Sequence, residues 1–262
     1  MSLAIGDRVG PYRLISPHPG GGWRAVAGER RVHLEIDDSG DWRASAVAAM
    51  RLASQVAALE HPGVAKIVDR GVLPDSSTKT ANRAWIATEL ADGMVLSEIM
   101  GRRALAVDET LELIRDLASI LAHLHERGLT HDAIKPHAIT MRTGARSFQI
   151  QLGSWRELRS GDGSSDIHAL GILAYRAVTG RFPGLHVPEL VPGVPGGVGA
   201  LIVNMLAADP DDRPTAGEVL FVVGELSGDR ALSGPRFTRR WTPAPDELQP
   251  VTEAITLPLK RI

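Results

Sequence analysis

Short apolar stretches separated by turn residues dominate the first part of the chain. Their β-branched and aromatic side chains, with glycine and proline between them, are typical of β-strands. The predicted strands are residues 12–15, 23–26, 31–36, 64–72 and 84–88. Within this region, residues 41–59 carry apolar side chains at helical spacing, and the His61-Pro62 pair ends that helix. The N-terminal part is therefore predicted to be a sheet with one helix.

Helical periodicity dominates the rest of the chain. Asp108 and Glu109 open a predicted helix that runs to about residue 126, and Gly128 ends it. Two short strands are predicted near 138–142 and 147–151, and further helices at 165–179, 197–207 and 215–226. Residues 234–262 contain five prolines and no periodicity, which predicts a tail without regular structure.

This order of elements predicts an α+β fold in which a strand-rich lobe with one helix precedes a helical lobe. The predicted boundaries are a strand-rich region at 1–93, a helical region at 94–228 and a proline-rich tail at 229–262.

Composition excludes several classes of site. The 262 residues include no cysteine, which rules out disulfides, thiolate metal ligands and a cysteine nucleophile. The formal net charge of −2 gives no support for broad nucleic-acid binding. An apolar run of bilayer-spanning length is absent from the sequence, and the first residues do not resemble a signal peptide.

Six segments, in this order along the chain, resemble motifs of bacterial serine/threonine protein kinases. They cover the turn after the regulatory helix, the gatekeeper strand and hinge, the approach to the catalytic loop, two parts of the central helix and the last motif of the fold. The segments are 61–64, 85–93, 124–136, 165–171, 175–183 and 205–215. The resemblance implies a bilobal protein kinase-like fold with an N-lobe and hinge at 1–93 and a C-lobe at 94–228.

Phosphoryl transfer in this family depends on a lysine that holds the phosphates, a catalytic-loop aspartate, and an asparagine and an aspartate that hold magnesium. The matching positions here are Glu35, Ala133, Ala138 and Leu152. A leucine offers no hard oxygen to magnesium. The sequence therefore predicts a catalytically inactive pseudokinase, not an enzyme, with no cofactor and no metal.

The loops around these positions also depart from the family pattern. Of the glycine-loop glycines only Gly21 is kept, while Pro19 and Arg24 stand at the first and third positions. The partner of the missing lysine maps to Leu52. Only twelve residues separate Leu152 from Ser165, which predicts a truncated activation segment. Asp132 is a weak alternative base, because its side chain is expected to point away from the family position.

Three residues that match the family are predicted to be structural. His131 and Asp166 correspond to residues that hold the catalytic loop by hydrogen bonds. Arg213 corresponds to an arginine whose glutamate partner is absent here, so another acid or solvent is expected beside it. Lys135 could contact a phosphate, but a surface role is favoured.

The tail carries a candidate modification site. Acidic residues precede Thr252, and Ile255 lies three positions after it. This pattern resembles a phosphothreonine motif read by forkhead-associated domains, which contact the phosphate and the side chain three residues on. An upstream serine/threonine kinase and a forkhead-associated adaptor are the partners implied. A simple linker is the alternative, and Thr238, Thr242 and Thr256 are weaker candidates.

The whole chain is similar to the pseudokinase domain of actinobacterial MviN-type proteins, although degenerate kinase domains occur in other bacterial proteins. That similarity implies a cytoplasmic regulatory domain of an inner-membrane protein, acting as an interaction scaffold in peptidoglycan synthesis. Membrane attachment would come only through flanking segments. Two alternatives stay open: a nucleotide-binding or atypical enzyme with a remodelled pocket, and an N-lobe that docks on a true kinase.

Overall fold

A computed structural model of the chain describes residues 3–37, 42–73, 82–142, 149–184 and 193–227. Its strands are β1 (Arg8–Val9), β2 (Tyr12–Pro17), β3 (Trp23–Ala27), β4 (Arg30–Ile36), β5 (Ile67–Leu73), β6 (Arg83–Glu89), β7 (Gly93–Val95), β8 (Leu129–Thr130), β9 (Ile139–Arg142), β10 (Ile150–Leu152) and β11 (Arg159–Ser160). Its α-helices are α1 (Trp42–Ala57), α2 (Leu96–Met100), α3 (Val107–His125), α4 (Ser164–Thr179), α5 (Gly196–Met205) and α6 (Ala216–Ser227). Regular structure is therefore strand-rich before Glu89 and helix-rich after it.

The N-terminal sheet has six strands in the order β1-β2-β3-β4-β6-β5, and every neighbouring pair is antiparallel. One face of this sheet forms a small core, whose buried members are Val9, Tyr12, Leu14, Ala25, Val32, Leu34, Trp85 and Ala87. The β4–β6 register sets His33 opposite Thr88 and Glu35 opposite Ile86. Because side chains alternate along a strand, His33 and Glu35 share the other face.

The helical part is built around α3, which is buried along most of its length between α4 and α6. Its core extends into the N-terminal part, because Val56, Leu59 and Val64 belong to the same buried cluster. Val64 also forms a parallel bridge to Leu152 of β10. The segment after α1 thus joins the sheet to the helices.

These elements match the predicted α+β class, but the region after Glu89 is more regular than the sequence suggested. The Asp92-Gly93 pair, a dipeptide typical of turns, leads directly into β7 and α2, two elements that the sequence pattern does not predict. A Cβ at position 93 would lie 1.9 Å from the Met141 carbonyl oxygen, so the glycine allows β7 to pair closely with β9.

The predicted tail at 229–262, with Thr252, Ile255 and the three weaker threonines, lies outside the described residues. Residues 147 and 148 of one predicted strand are also outside them. In the ranges that the structure describes, no helix combines the length and apolar character needed to cross a bilayer.

Candidate functional site

The positions that match the family's magnesium ligands lie in the apolar core. Leu152 is fully buried at the end of β10, and its backbone bonds to Gly63 and Ala65. Ala138 ends a short 3-10 helix at Pro136–Ala138 and is 5% exposed. The Gly153 amide donates to the Ala138 carbonyl at 2.8 Å. These two side chains carry no oxygen that could bind a cation.

Asp166, in the first turn of α4, organises the loop that matches the catalytic loop. It is fully buried and accepts hydrogen bonds from the backbone amides of His131 and Asp132, both at 2.8 Å. The ring of His125 is also 3.0 Å from this carboxylate. The two amide bonds fix the backbone at 131–132 relative to α4, and the His125 contact ties α4 to the end of α3. These contacts support the structural role assigned to Asp166, which stays a prediction.

His131 ties the same loop to the short segment after β10. Its Nδ1 accepts from the Ala133 amide at 3.2 Å, so its Nε2 is the donor to the Gly153 carbonyl at 2.9 Å. The ring is fully buried with its edge near Trp155. Burial lowers the pKa of His131, consistent with a neutral ring held at both nitrogens.

Asp132 is the carboxylate nearest in sequence to Ala133, the matched base position, and it is fully engaged. Its backbone is left-handed, with φ of 61°. Its side chain accepts from Arg159 and from the Ser165 hydroxyl, the latter at 2.7 Å. The bond from Arg159 is the main cause of a lowered pKa for Asp132. A weakly basic carboxylate clamped between β11 and α4 is poorly suited to take a proton from a substrate.

Three histidines fill the cleft between the sheet and this loop. His18 and His33 stack with ring centroids 3.8 Å apart, and both are nearly completely buried. His137 lies against the glycine loop, since a Cβ on Gly20 would be 2.6 Å from its Cδ2. Spacing along the chain does not reveal this cluster, because its members come from a loop, a strand and a 3-10 helix.

The glycine loop bonds to itself. The Gly21 amide donates to the His18 carbonyl at 3.0 Å, and the Gly20 amide donates to the His18 ring at 3.1 Å. The His33 ring lies 2.7 Å from the Gly21 carbonyl. In a phosphate-binding loop such amides point at the ligand. In this chain, two of the loop amides already donate hydrogen bonds to His18.

An ion pair attaches the end of the glycine loop to α2. Arg24, at the position of the third family glycine, bonds to Glu98 of α2 at 2.7 Å. The remaining cavity in the cleft has a volume of about 20 Å³. Small-molecule sites span roughly 300–1,000 Å³. In this conformation the cleft has room for about one water molecule and none for a nucleotide.

Glu35 lies on the same sheet face, two residues beyond His33, and lines a separate and larger cavity. Leu52, the matched position for its family partner, lines the same cavity from α1. The lysine–glutamate pair of the family is thus replaced by a glutamate and a leucine that face one cavity.

Arg213 binds backbone carbonyl oxygens where the sequence suggested an acid or solvent. Its guanidinium donates to the carbonyls of Ala207, Ala208 and Ser164 at 2.8, 3.1 and 3.2 Å. It therefore joins the start of α4 to the turn before Pro210. Lys135 is exposed.

Trp155 is a positioning residue that the sequence reasoning missed. It is fully buried, and its indole nitrogen donates to the Ala65 carbonyl at 2.7 Å. The shortened segment after β10 is anchored here before it continues through β11, which pairs with β8. The sequence signal for this positioning role was a tryptophan three residues after Leu152.

Metal ligands do not converge anywhere in the ranges that the structure describes. Within them, no group of three histidine, aspartate or glutamate side chains could hold an ion. Two of the cleft histidines, His18 and His33, are stacked and hydrogen-bonded instead.

Comparison with curated proteins finds bacterial serine/threonine protein kinases. Serine/threonine-protein kinase PrkC of Bacillus subtilis is 28% identical over 233 residues, which covers 72% of this chain and 35% of that protein. Serine/threonine-protein kinase pkn2 of Myxococcus xanthus is 26% identical over 214 residues, covering 66% and 25%. PknJ of Mycobacterium tuberculosis is 25% identical over 276 aligned positions, covering 82% and 45%. The chain thus spans a quarter to nearly half of the length of these relatives.

These relatives confirm the kinase-like fold and correct one prediction. The expectation that the chain is not an enzyme is contradicted, because the relatives bear the names of protein kinases. No protein-family model matches the chain. At this identity single side chains of a site can differ, so the roles assigned to Glu35, Ala133, Ala138 and Leu152 stay predictions.

Proposed function

We propose that the chain is a regulatory module of kinase-like fold in a larger bacterial signalling protein, and that it acts by binding other proteins. One observation carries this proposal. The cleft is filled by His18, His33 and His137, and the glycine loop above it is closed by its own hydrogen bonds and by the Arg24–Glu98 ion pair. A cleft filled by its own side chains favours a role for the outer surface and the tail.

The binding event proposed for the tail is phosphorylation of Thr252 followed by capture by a forkhead-associated domain. Phosphate adds about −1.5 to −2 charges at pH 7, which creates an arginine-binding group in a polar segment. Ile255 would supply the side chain read three positions on. An upstream serine/threonine kinase would phosphorylate Thr252, either through a transient contact with the tail or while docked on the N-terminal sheet.

The cellular setting proposed is control of peptidoglycan synthesis from the cytoplasmic side of the inner membrane. It rests on the similarity to MviN-type proteins, and the module would be attached through flanking segments.

Phosphorylation of the full chain by a bacterial serine/threonine kinase tests the tail directly. Mass spectrometry should find phosphate on Thr252, and a forkhead-associated domain should bind only the phosphorylated chain. Thr252→Ala should abolish that binding. Thr256→Ala, a matched change four residues on, should leave it intact. Binding that survives Thr252→Ala, or a tail that takes no phosphate, would overturn the proposal.

A second candidate function is a nucleotide-dependent enzyme with a remodelled pocket. The kinase names of the relatives favour it, as does the intact hydrogen-bonded frame of Asp166 and His131. Nucleotide binding would require the glycine loop to lift from His137.

Titration with ATP and magnesium, followed by thermal unfolding, tests this second function. A ligand at 100 times its dissociation constant adds about 2.7 kcal/mol to the stability of the native state. A clear rise in Tm, together with transfer of labelled phosphate to a protein substrate, would establish the enzyme. An unchanged Tm together with no transfer would remove this candidate.

A further inference from the structure

A second cavity lies beside the closed cleft, between the sheet and α1. Its volume is about 370 Å³, within the range of small-molecule sites. Ala84 and Ile86 of β6 form part of its wall, and Ala49 and Leu52 of α1 face them. Leu158, just before β11, also lines it. The apolar part of a ligand could therefore be buried between these walls.

Glu35 lines this cavity and is partly buried. Its Oε2 atom is buried and has no hydrogen-bond donor among the described residues. A buried acceptor without a partner costs roughly 1–3 kcal/mol, and more when it is charged. A donor that enters the cavity and meets the Glu35 carboxylate, after a turn of the side chain, would remove this cost.

Three arginines also line the cavity, but two of them already have acidic partners. Arg156 pairs with Asp37 at 3.4 Å, and Arg159 pairs with Asp132. Arg51 is exposed on α1. The arginines with acidic partners are therefore partly neutralised, while the buried oxygen of Glu35 keeps its acceptor capacity.

We propose that this space, the Glu35 cavity, binds a small organic cation that carries an amidinium, guanidinium or ammonium group on an apolar body. The Glu35 side chain would turn to bring its carboxylate to the cation, whose apolar body would pack between Ile86 and Leu52. Charge-assisted hydrogen bonds to a carboxylate are roughly twice as strong as neutral ones, so a cation is preferred over a neutral donor of the same shape.

Benzamidine is a suitable probe, because its planar cation is attached to a flat apolar ring. Titrated into the full chain, it should shift the methyl resonances of Ile86 and Leu52 with a dissociation constant of about 1 mM or lower. Benzamide, its neutral counterpart, and benzoate, its anionic one, should bind at least about tenfold more weakly, as expected for loss of a charge-assisted bond.

Two variants locate the site. Glu35→Gln keeps the shape of the side chain and should weaken benzamidine binding at least about tenfold. Glu225→Gln, an equivalent change on exposed α6, should leave binding unchanged. Ala48→Trp, at an exposed position on the rim, should block the cavity without disturbing the core.

Three results would overturn the proposal. They are equal binding of benzamide or benzoate, unchanged binding in Glu35→Gln, and absence of methyl shifts at concentrations up to about 10 mM, a range in which even weak small ligands are detected.

Discussion

At the scale of single residues, buried polar side chains hold the loop that matches the catalytic loop. Asp166 accepts two backbone amides and the His125 ring, and Asp132 accepts Arg159 and Ser165. The His125 contact joins α4 to the end of α3, and each of the other bonds joins α4 or β11 to residues 131–132. These contacts with α4 and β11 therefore fix the conformation of the loop, including the left-handed backbone of Asp132.

Replacement of Asp166 by alanine should be strongly destabilising. The change leaves the amides of His131 and Asp132 without an acceptor in a buried site, at about 1–3 kcal/mol each. We expect a loss of about 3 kcal/mol in the free energy of unfolding, measured by urea denaturation. Asp92→Asn, which weakens an exposed pair with Arg31, should change it little. Equal effects of the two changes would contradict the assigned role.

The cleft histidines should make stability depend on pH. Burial, followed by the nearby His33, Arg24 and His137, lowers the pKa of His18 to about 3. An unfolded histidine has a pKa near 6.5, so between pH 6.5 and about 3 only the unfolded chain takes up this proton. The contribution of the neutral His18 ring to the free energy of unfolding is thus complete above pH 6.5, and it falls by about 1.4 kcal/mol per pH unit below that pH.

Histidine NMR and denaturation at several pH values measure this effect. The His18 ring should stay neutral down to about pH 4. His18→Gln should reduce the slope of unfolding free energy against pH, while Lys135→Gln, an exposed change near the same loop, should not. Titration of His18 near pH 6.5 in the native protein would show that the cleft is open to water.

At the scale of elements, sequence patterns predicted most helices and strands and missed those fixed by distant contacts. The helix at 108–126 was predictable from its own periodicity and end residues, and α3 spans Val107–His125. β7 was not predictable, because it exists only through pairing with β9, about fifty residues away. The histidine cluster was missed for the same reason, since three separate elements bring its rings together.

The glycine loop offers a matched test of a close backbone approach. Gly22 and Gly28 both have left-handed backbones, with φ of 70° and 59°. A Cβ on Gly22 would lie 2.4 Å from the Leu34 carbonyl oxygen, whereas one on Gly28 would meet nothing within 4 Å. Gly28→Ala should cost about 1–2 kcal/mol from backbone strain alone.

Gly22→Ala should add to that strain the displacement of the loop from β4, so its loss should be larger by at least about 1 kcal/mol. Thermal unfolding of the two variants compares them directly. Hydrogen exchange at the Gly21 amide, which donates to His18, should also increase in Gly22→Ala only. Equal losses in both variants would mean that the loop does not rest on β4.

At the scale of the whole molecule, one buried cluster joins the two parts of the chain. Val56, Leu59 and Val64 pack with the helical core, and Trp155 donates to Ala65 in the segment that follows α1. The sheet keeps a separate small cluster on its other face. Because the connecting contacts are buried and continuous, the described parts should unfold together rather than one after the other.

Replacement of Trp155 by phenylalanine tests this coupling. An aromatic ring is kept, but the Ala65 carbonyl loses its buried donor, which costs about 1–3 kcal/mol, and the smaller phenyl ring leaves a cavity that adds to this loss. For a chain of this size that loss corresponds to a decrease of several degrees in Tm, at roughly 2–4 °C per kcal/mol.

Calorimetry should show a single transition in the original chain and in Trp155→Phe, with equal calorimetric and van't Hoff enthalpies. Trp23→Phe, in the half-buried part of β3, is the control and should lower Tm less. A split into two transitions in Trp155→Phe would mean that the contacts of Trp155 alone, rather than the whole shared cluster, hold the sheet to the helices.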